Sequence, residues 1–277
     1  MAIFTNGILK NCVVFLNINF KGEFIMELKN HIAESALYDV YESDGMAVRV
    51  YKKPEYKEKC LYAALTHARV ETTLCHSSIK MPIIHDVSVI DGKWSMSMDW
   101  IKGKTLAELI EENPDKAESY ITKMVEIQCE IHQQYMPLLS KLKDKLSRQI
   151  KTLGQIDEIK KYELLMRLDS MPKHIKLCHN KLEPKNIIIN DDGVYVIDWG
   201  SARQGNASAD VAKTYLLMCL HHPKLADYYL NKYCQLSGTS KKYVQGWLPI
   251  VAAAQLEKNI ESEKEFLLKW IDVVEYE

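Results

Sequence analysis

Two side chains in the C-terminal half of the chain have the types and spacing to hold a metal ion: Asn186 and Asp198. Between them, Ile187, Ile188 and Ile189 form one short apolar strand, Asp192 and Gly193 a turn, and residues 194–197 a second strand, the pattern of a β-hairpin. Asn186 leaves before the first strand and Asp198 after the second. An amide oxygen and a carboxylate can therefore converge on one magnesium ion, with nucleotide phosphates as further ligands. The alternative is an ordinary surface hairpin whose Asn and Asp cap neighbouring backbone groups.

The whole stretch 177–200, LCHNKLEPKNIIINDDGVYVIDWG, resembles the catalytic loop of phosphotransferases with the protein-kinase-like fold. That loop reads His, any residue, Asp, four residues, Asn, then a hairpin ending in Asp between apolar residues. His179, Asn186 and Asp198 match, but Lys181 stands where the catalytic Asp belongs. Downstream, Asp198, Trp199, Ala202, Gly205 and Asp210 follow the order of the aminoglycoside phosphotransferase and choline kinase group, to which the chain is similar from about Met26 onward. MSMDWIKGKTLAEL resembles that group's hinge, EIQCEIH the helix before its catalytic loop, and ALTHARVETTL its N-lobe helix.

The resemblance implies an α+β, bilobal, protein-kinase-like fold. A small N lobe (26–101) would carry an antiparallel sheet and one helix, and a larger, mostly helical C lobe (102–277) the catalytic hairpin and the acceptor site. It also implies ATP or another NTP, Mg2+ and an unidentified small-molecule hydroxyl acceptor. Catalytic positions fall on His179, Lys181 and Glu183, and metal ligands on Asn186 and Asp198. Arg49 takes the place of the strand lysine that meets nucleotide phosphates, with Glu71 as its ion-pair partner. Ser35 lies in the phosphate-covering loop, and the backbone of Asp99 and Ile101 would meet adenine. Asp210 is expected to be structural, capping the helix it opens and bracing the catalytic loop.

Two departures from the template bear on activity. The phosphate-covering loop would carry glycines at positions 33, 35 and 38, where this chain has Ala33, Ser35 and Tyr38, and glycine is what lets backbone approach phosphate closely. A carboxylate at position 181 would orient the acceptor hydroxyl and take its proton, which a protonated lysine cannot do. Its ammonium could instead replace one magnesium ion on a phosphate. Glu183 is the nearby carboxylate that could substitute as base. Three readings follow: a nucleotide-binding protein with impaired catalysis, a slow O-phosphotransferase using Glu183 or substrate-assisted proton transfer, and a purely structural helical protein.

Composition bounds these readings loosely. With 277 residues and 47% hydrophobic content the chain can bury a sizeable core. A net charge of -1 with interspersed signs gives no footprint for nucleic acid. Seven cysteines without a CxxC pair fit a reduced cytoplasm better than a disulfide framework or zinc site. The sequence offers no run of about 20 apolar residues to span a membrane. Residues 1–25 could be a weak signal peptide, an extra edge strand, or a stretch not natively translated. In the third case synthesis starts at Met26, since the codons of Lys21, Gly22 and Glu23 can spell a bacterial ribosome-binding site.

The elements that must position these residues can be traced in order. Residues 28–41 suit two strands or a helical lead-in and a strand, with turns at Asp44-Gly45 and Asp91-Gly92 and strands in MAVRVYK and KWSMSMDW. A helix is expected from about 54 to 74, and Thr105 caps another. Ile121, Met124, Val125, Cys129 and His132 mark a helical face with His132 as a packed core residue, and 138–167 continues amphipathically. Four more helices are expected at 210–220, 224–236, 241–257 and 263–274. Glu257, Glu261 and Glu263 could rim the acceptor site for a cationic substrate or form a solvated helix face.

Overall fold

A computed structural model describes residues 28–75 and 77–272. The expectations for residues 1–25 and Met26, and the end of the last helix at Val274, lie outside them. The chain divides into two compact units: Met1–Ala64 with Ile83–Trp100, and Leu65–Pro82 with Ile101–Glu277. Residues 65–82, assigned from sequence to the N lobe, thus group with the second unit.

The first unit is a five-stranded antiparallel sheet in the order β1-β2-β3-β5-β4, built from β1 (Asn30–Glu34), β2 (Tyr38–Ser43), β3 (Met46–Tyr51), β4 (Ile84–Ile90) and β5 (Lys93–Asp99). Residues 28–41 take the two-strand alternative. Asp44-Gly45 and Asp91-Gly92 make the expected two-residue hairpins, and all four residues have positive φ, between 47° and 79°. Such left-handed pairs match the twist of the strands they join. Ala47, Tyr51, Cys60, Ala63, Met96 and Met98 form the unit's core, so the β5 methionines are packing residues. Helix α1 (Lys57–Leu74) follows a 3-10 turn opened by Pro54.

The second unit is mainly helical: α2 (Leu106–Glu112), α3 (Ala117–Ile131), α4 (Leu142–Thr152), α5 (Glu158–Ser170), α6 (Ala207–His221), α7 (Pro223–Ser237), α8 (Lys241–Gln245), α9 (Leu248–Leu256) and α10 (Glu261–Ile271). The expected single helix over 241–257 is in fact two, broken at Gly246-Trp247 ahead of Pro249, because proline lacks the N–H that would continue the ladder. Thr105 starts α2 with a full capping box, its hydroxyl accepting from the Glu108 N–H while the Glu108 carboxylate accepts from the Thr105 N–H.

Two small sheets hold the loop. β6 (Lys104–Thr105) pairs with β8 (Ile187–Asn190), which forms a hairpin with β9 (Gly193–Val196); β7 (Lys176–Cys178) pairs with β10 (Arg203–Gly205). The hairpin turn is Asp191-Asp192, one residue before the expected place, because the Asn190 side chain accepts from the N–H groups of Asp192 and Gly193. Gly103 has a φ of 149°, and a Cβ there would lie 2.7 Å from the Ile189 carbonyl oxygen. The close approach of β6 to β8 thus requires glycine.

Candidate active site

The loop between β7 and β8 carries His179 to Asn186, and its backbone is fixed from behind by one carboxylate. Asp210, on the first turns of α6, is fully buried. It accepts from the N–H of His179 at 3.2 Å, from the N–H of Asn180 at 2.5 Å and from Nε2 of His132 at 3.0 Å. Burial alone would raise its pKa, but the hydrogen bond and charge of His132, with the His179 and Asn180 contacts, hold it below the ordinary value. The α6 cap is not Asp210 but Asn206, whose side chain accepts from the Ser208 N–H. Asp210 therefore braces the loop without capping the helix.

His132 has Nδ1 2.9 Å from the Tyr233 hydroxyl and is buried, the packed histidine the sequence suggested. His132, Cys178 and Asp210 come within 4.8 Å of one another. Both imidazole nitrogens are already engaged, and burial drives the Cys178 thiol well above its ordinary pKa. The group is a hydrogen-bonded brace, since a metal would need the thiolate.

His179 is fully buried, its Nε2–H donating to the Ile197 carbonyl at 3.0 Å and its ring 4.6 Å from that of Trp199. Burial lowers its pKa and keeps the ring neutral. Its contacts are to the Ile197 carbonyl and the Trp199 ring, on either side of Asp198. Asn180 and Asp198 both take left-handed backbone, at φ 63° and 65°, a conformation that Asn and Asp adopt more readily than other side chains.

At the centre of the loop the Lys181 ammonium lies 2.7 Å from Asp198 Oδ2. Asn186 is buried and its Oδ1 has no hydrogen-bond partner. A desolvated amide oxygen without a donor is the kind of group a hard cation satisfies. The donor set, one amide oxygen and one carboxylate, fits a single magnesium ion, while the carboxylate already carries an ammonium.

Glu183 is 3% exposed in its side chain, with Oε1 2.6 Å from His221 Nδ1 and Oε2 3.3 Å from Lys185 Nζ. Burial pushes its pKa up, but the His221 hydrogen bond and Lys185 outweigh it and the result is lowered from 4.5 to about 2. A carboxyl that acidic is a weak base. Because the folded value lies below the unfolded one, the stability it confers is present above about pH 4.5 and lost as pH falls through about 2. Urea unfolding of wild type and Glu183→Gln is expected to show a stability gap that closes by about 3 kcal/mol over that window. A gap that stays constant with pH would mean the pair adds nothing.

In the first unit, Arg49 on β3 is buried, its guanidinium 4.1 Å over the ring of Tyr38. The aromatic residue at the third glycine position thus stacks on the expected phosphate ligand. Ser35 closes the β1–β2 turn itself: its hydroxyl donates to the Tyr38 carbonyl and accepts from the N–H groups of Leu37 and Tyr38. Ala33, Ser35 and Tyr38 all keep negative φ, so this loop has no need of glycine. The Asp99 carboxylate accepts from the Ile83 N–H at 2.9 Å and lies 2.6 Å from His85 Nε2. Glu71 is half-buried on α1 and Ile101 half-buried before β6, both in the second unit.

Sequence reasoning missed a cavity of about 60 Å³ beside the catalytic loop, with Lys145, Lys181, Lys213 and Lys258 in its lining. One signal was available: Lys213 stands in the largely apolar helix segment VAKTYLLM, and it is buried there with its neighbours.

Fold and site can be set beside known proteins. No curated protein matches the chain in sequence. Among solved structures it is similar to a thermostable mutant of the aminoglycoside phosphotransferase APH(4)-Ia, at 15% identity over 88% of this chain and 90% of that one, with a TM-score of 0.62. It is similar to the choline kinase LicA from Streptococcus pneumoniae at 13% identity, 87% and 92% coverage and a TM-score of 0.61. A third is the GDP and kanamycin complex of APH(2")-IIia, at 15% identity, 90% and 91% coverage and a TM-score of 0.58. The aminoglycoside-kinase-like fold is therefore shared. The family model described as "Phosphotransferase enzyme family" matches residues 74–246, and the chain belongs to that family.

Proposed function

We propose that this chain is a nucleotide-binding member of the phosphotransferase family whose phosphoryl transfer is impaired because Lys181 replaces the catalytic carboxylate. The observation that carries this reading is the 2.7 Å contact between the Lys181 ammonium and Asp198. It puts a cation where a proton acceptor is needed and neutralises the carboxylate that would otherwise bind metal. The ammonium can serve as a resident counter-charge for nucleotide phosphate. Asn186 and Asp198 would hold a magnesium ion, whose contribution would be to neutralise phosphate charge. A GDP complex in a solved structure of the same fold supports a nucleotide as ligand, with ATP or another NTP as the donor class.

The second reading, a slow O-phosphotransferase, draws on the orphaned Asn186 oxygen, a buried polar group that calls for a partner such as a cation. With Glu183 pinned and acidic, this version relies on the substrate for proton transfer. In either reading Arg49 and Asp198 carry nucleotide affinity.

Calorimetric titration with ATP, with and without magnesium, tests this. Arg49→Ala should weaken ATP about tenfold or more in both conditions, the worth of one charge-assisted contact of roughly 1.5 to 3 kcal/mol. Asp198→Ala should remove whatever part of the affinity depends on magnesium. Unchanged binding in both variants would place the nucleotide elsewhere.

A further inference from the structure

The cavity beside the catalytic loop has a charge that the family resemblance did not suggest. Lys145 comes from α4, Lys213 from α6, Lys258 from the end of α9 and Lys181 from the catalytic loop. Lys213 is buried, Lys145 half-buried and Lys258 exposed. The three thus line the cavity at different depths. Lysine is almost never buried without a partner, yet among the described residues none of these three has a carboxylate within ion-pair reach.

The carboxylates whose charge reaches these lysines, Glu257, Glu263 and Glu183, each have another partner. Gln149, itself in the cavity wall, donates to Glu257 at 3.1 Å. Gln255 accepts from Lys213 Nζ and donates to Glu263 at 2.6 Å, so an amide stands between that amine and that carboxylate. Glu183 is held by His221 and Lys185. Glu257 and Glu263 are thus each met by a neutral amide, and the cavity wall itself presents lysine amines. Among the described residues Glu261 pairs with Lys264 on its own helix.

We propose that this cavity binds the acceptor through a dianionic group, so that the substrate is a small hydroxyl compound carrying a phosphate monoester. A phosphate monoester has close to two negative charges at neutral pH and three acceptor oxygens, which suits several lysine side chains that converge on a small space and gain protons when an anion enters it. A single carboxylate would leave most of that charge uncompensated. The word acceptor rests on the phosphotransferase reading above; the anion site itself does not.

The protonation of the cluster agrees with this. Desolvation first, then Arg203, Lys258 and Arg148, push the Lys145 amine down to about 7 against the pull of Glu257, and burial likewise drives Lys213 well below its ordinary value and lowers Lys258. An anion in the cavity reverses that balance, so binding near neutral pH draws in a proton.

The test is calorimetry on the full chain with glycerol 3-phosphate, inorganic phosphate and choline as probes, in two buffers of different ionisation enthalpy at neutral pH. Glycerol 3-phosphate is expected to bind, inorganic phosphate more weakly and choline not at all, with proton uptake seen as a buffer-dependent heat. Lys145→Gln and Lys258→Gln should each weaken glycerol 3-phosphate about tenfold; Lys258 is exposed, so that variant keeps the fold even if another does not. Choline binding in preference to the phosphate monoester, or undiminished phosphate binding in both variants, would overturn the proposal. Displacement of glycerol 3-phosphate by ATP would also overturn it, by making the cavity a nucleotide phosphate site. An ATP titration run alongside separates the two readings, since absent ATP binding with retained glycerol 3-phosphate binding defeats the nucleotide reading alone.

Discussion

Lys181→Asp is expected to raise ATP turnover by about two to four orders of magnitude, the usual worth of a positioned general base, and to make it depend on magnesium. In wild type the ammonium occupies the Asp198 carboxylate at 2.7 Å. Aspartate there instead sets two carboxylates side by side, and like charges at that range demand a cation. The same change thus supplies a base and a metal requirement. ADP release measured with and without magnesium reads both. The β1–β2 turn, closed by Ser35, is the other candidate for the limiting feature, so glycines at positions 33, 35 and 38 should be combined with Lys181→Asp. No rise in either variant would clear Lys181 of responsibility. If wild type already turns over ATP while Lys181→Asp slows it and Glu183→Gln abolishes it, the impaired reading is wrong and Glu183 is the working base.

Asp210→Ala should cost about 3 to 5 kcal/mol of stability, the loss typical when one partner is removed from a buried charged network. That is a large share of the roughly 5 to 15 kcal/mol that a folded domain has. The substitution strips acceptors from the N–H groups of His179 and Asn180 and from His132. Denaturant unfolding should show the loss, and hydrogen exchange at the amides of His179 and Asn180 should accelerate. The sign with pH is set by the lowered Asp210 pKa. Its contribution is complete above the unfolded value of about 3.9 and disappears as pH falls through the lower folded value. A stability change under about 1 kcal/mol at neutral pH, the range of an exposed pair, would show that the brace is not what holds the loop.

Much of this was legible where the signal is local. The Asp44-Gly45 and Asp91-Gly92 hairpins, the Thr105 cap and the strand–turn–strand between Asn186 and Asp198 all follow from residues a few positions apart. The turn slipped by one because Asn190 can offer its side chain to two N–H groups, a competition that composition does not decide. Asp210 looked like a cap because it precedes an apolar run, but Asn206 reaches the free N–H groups first and Asp210 points at a loop 30 residues away. The lysine cavity was hidden for a related reason. Its residues lie on separate helices, each an ordinary charged position in its own segment, and only packing brings them together.

The exchange of a carboxylate for an ammonium at position 181 alters the charge of the loop by two, which is the charge of one divalent ion. A template site borrows that charge from the surrounding medium and loses it to any chelator. Here it is encoded by a codon and held on Asp198. Whatever this loop binds, it meets a positive charge on Lys181 that no chelator removes.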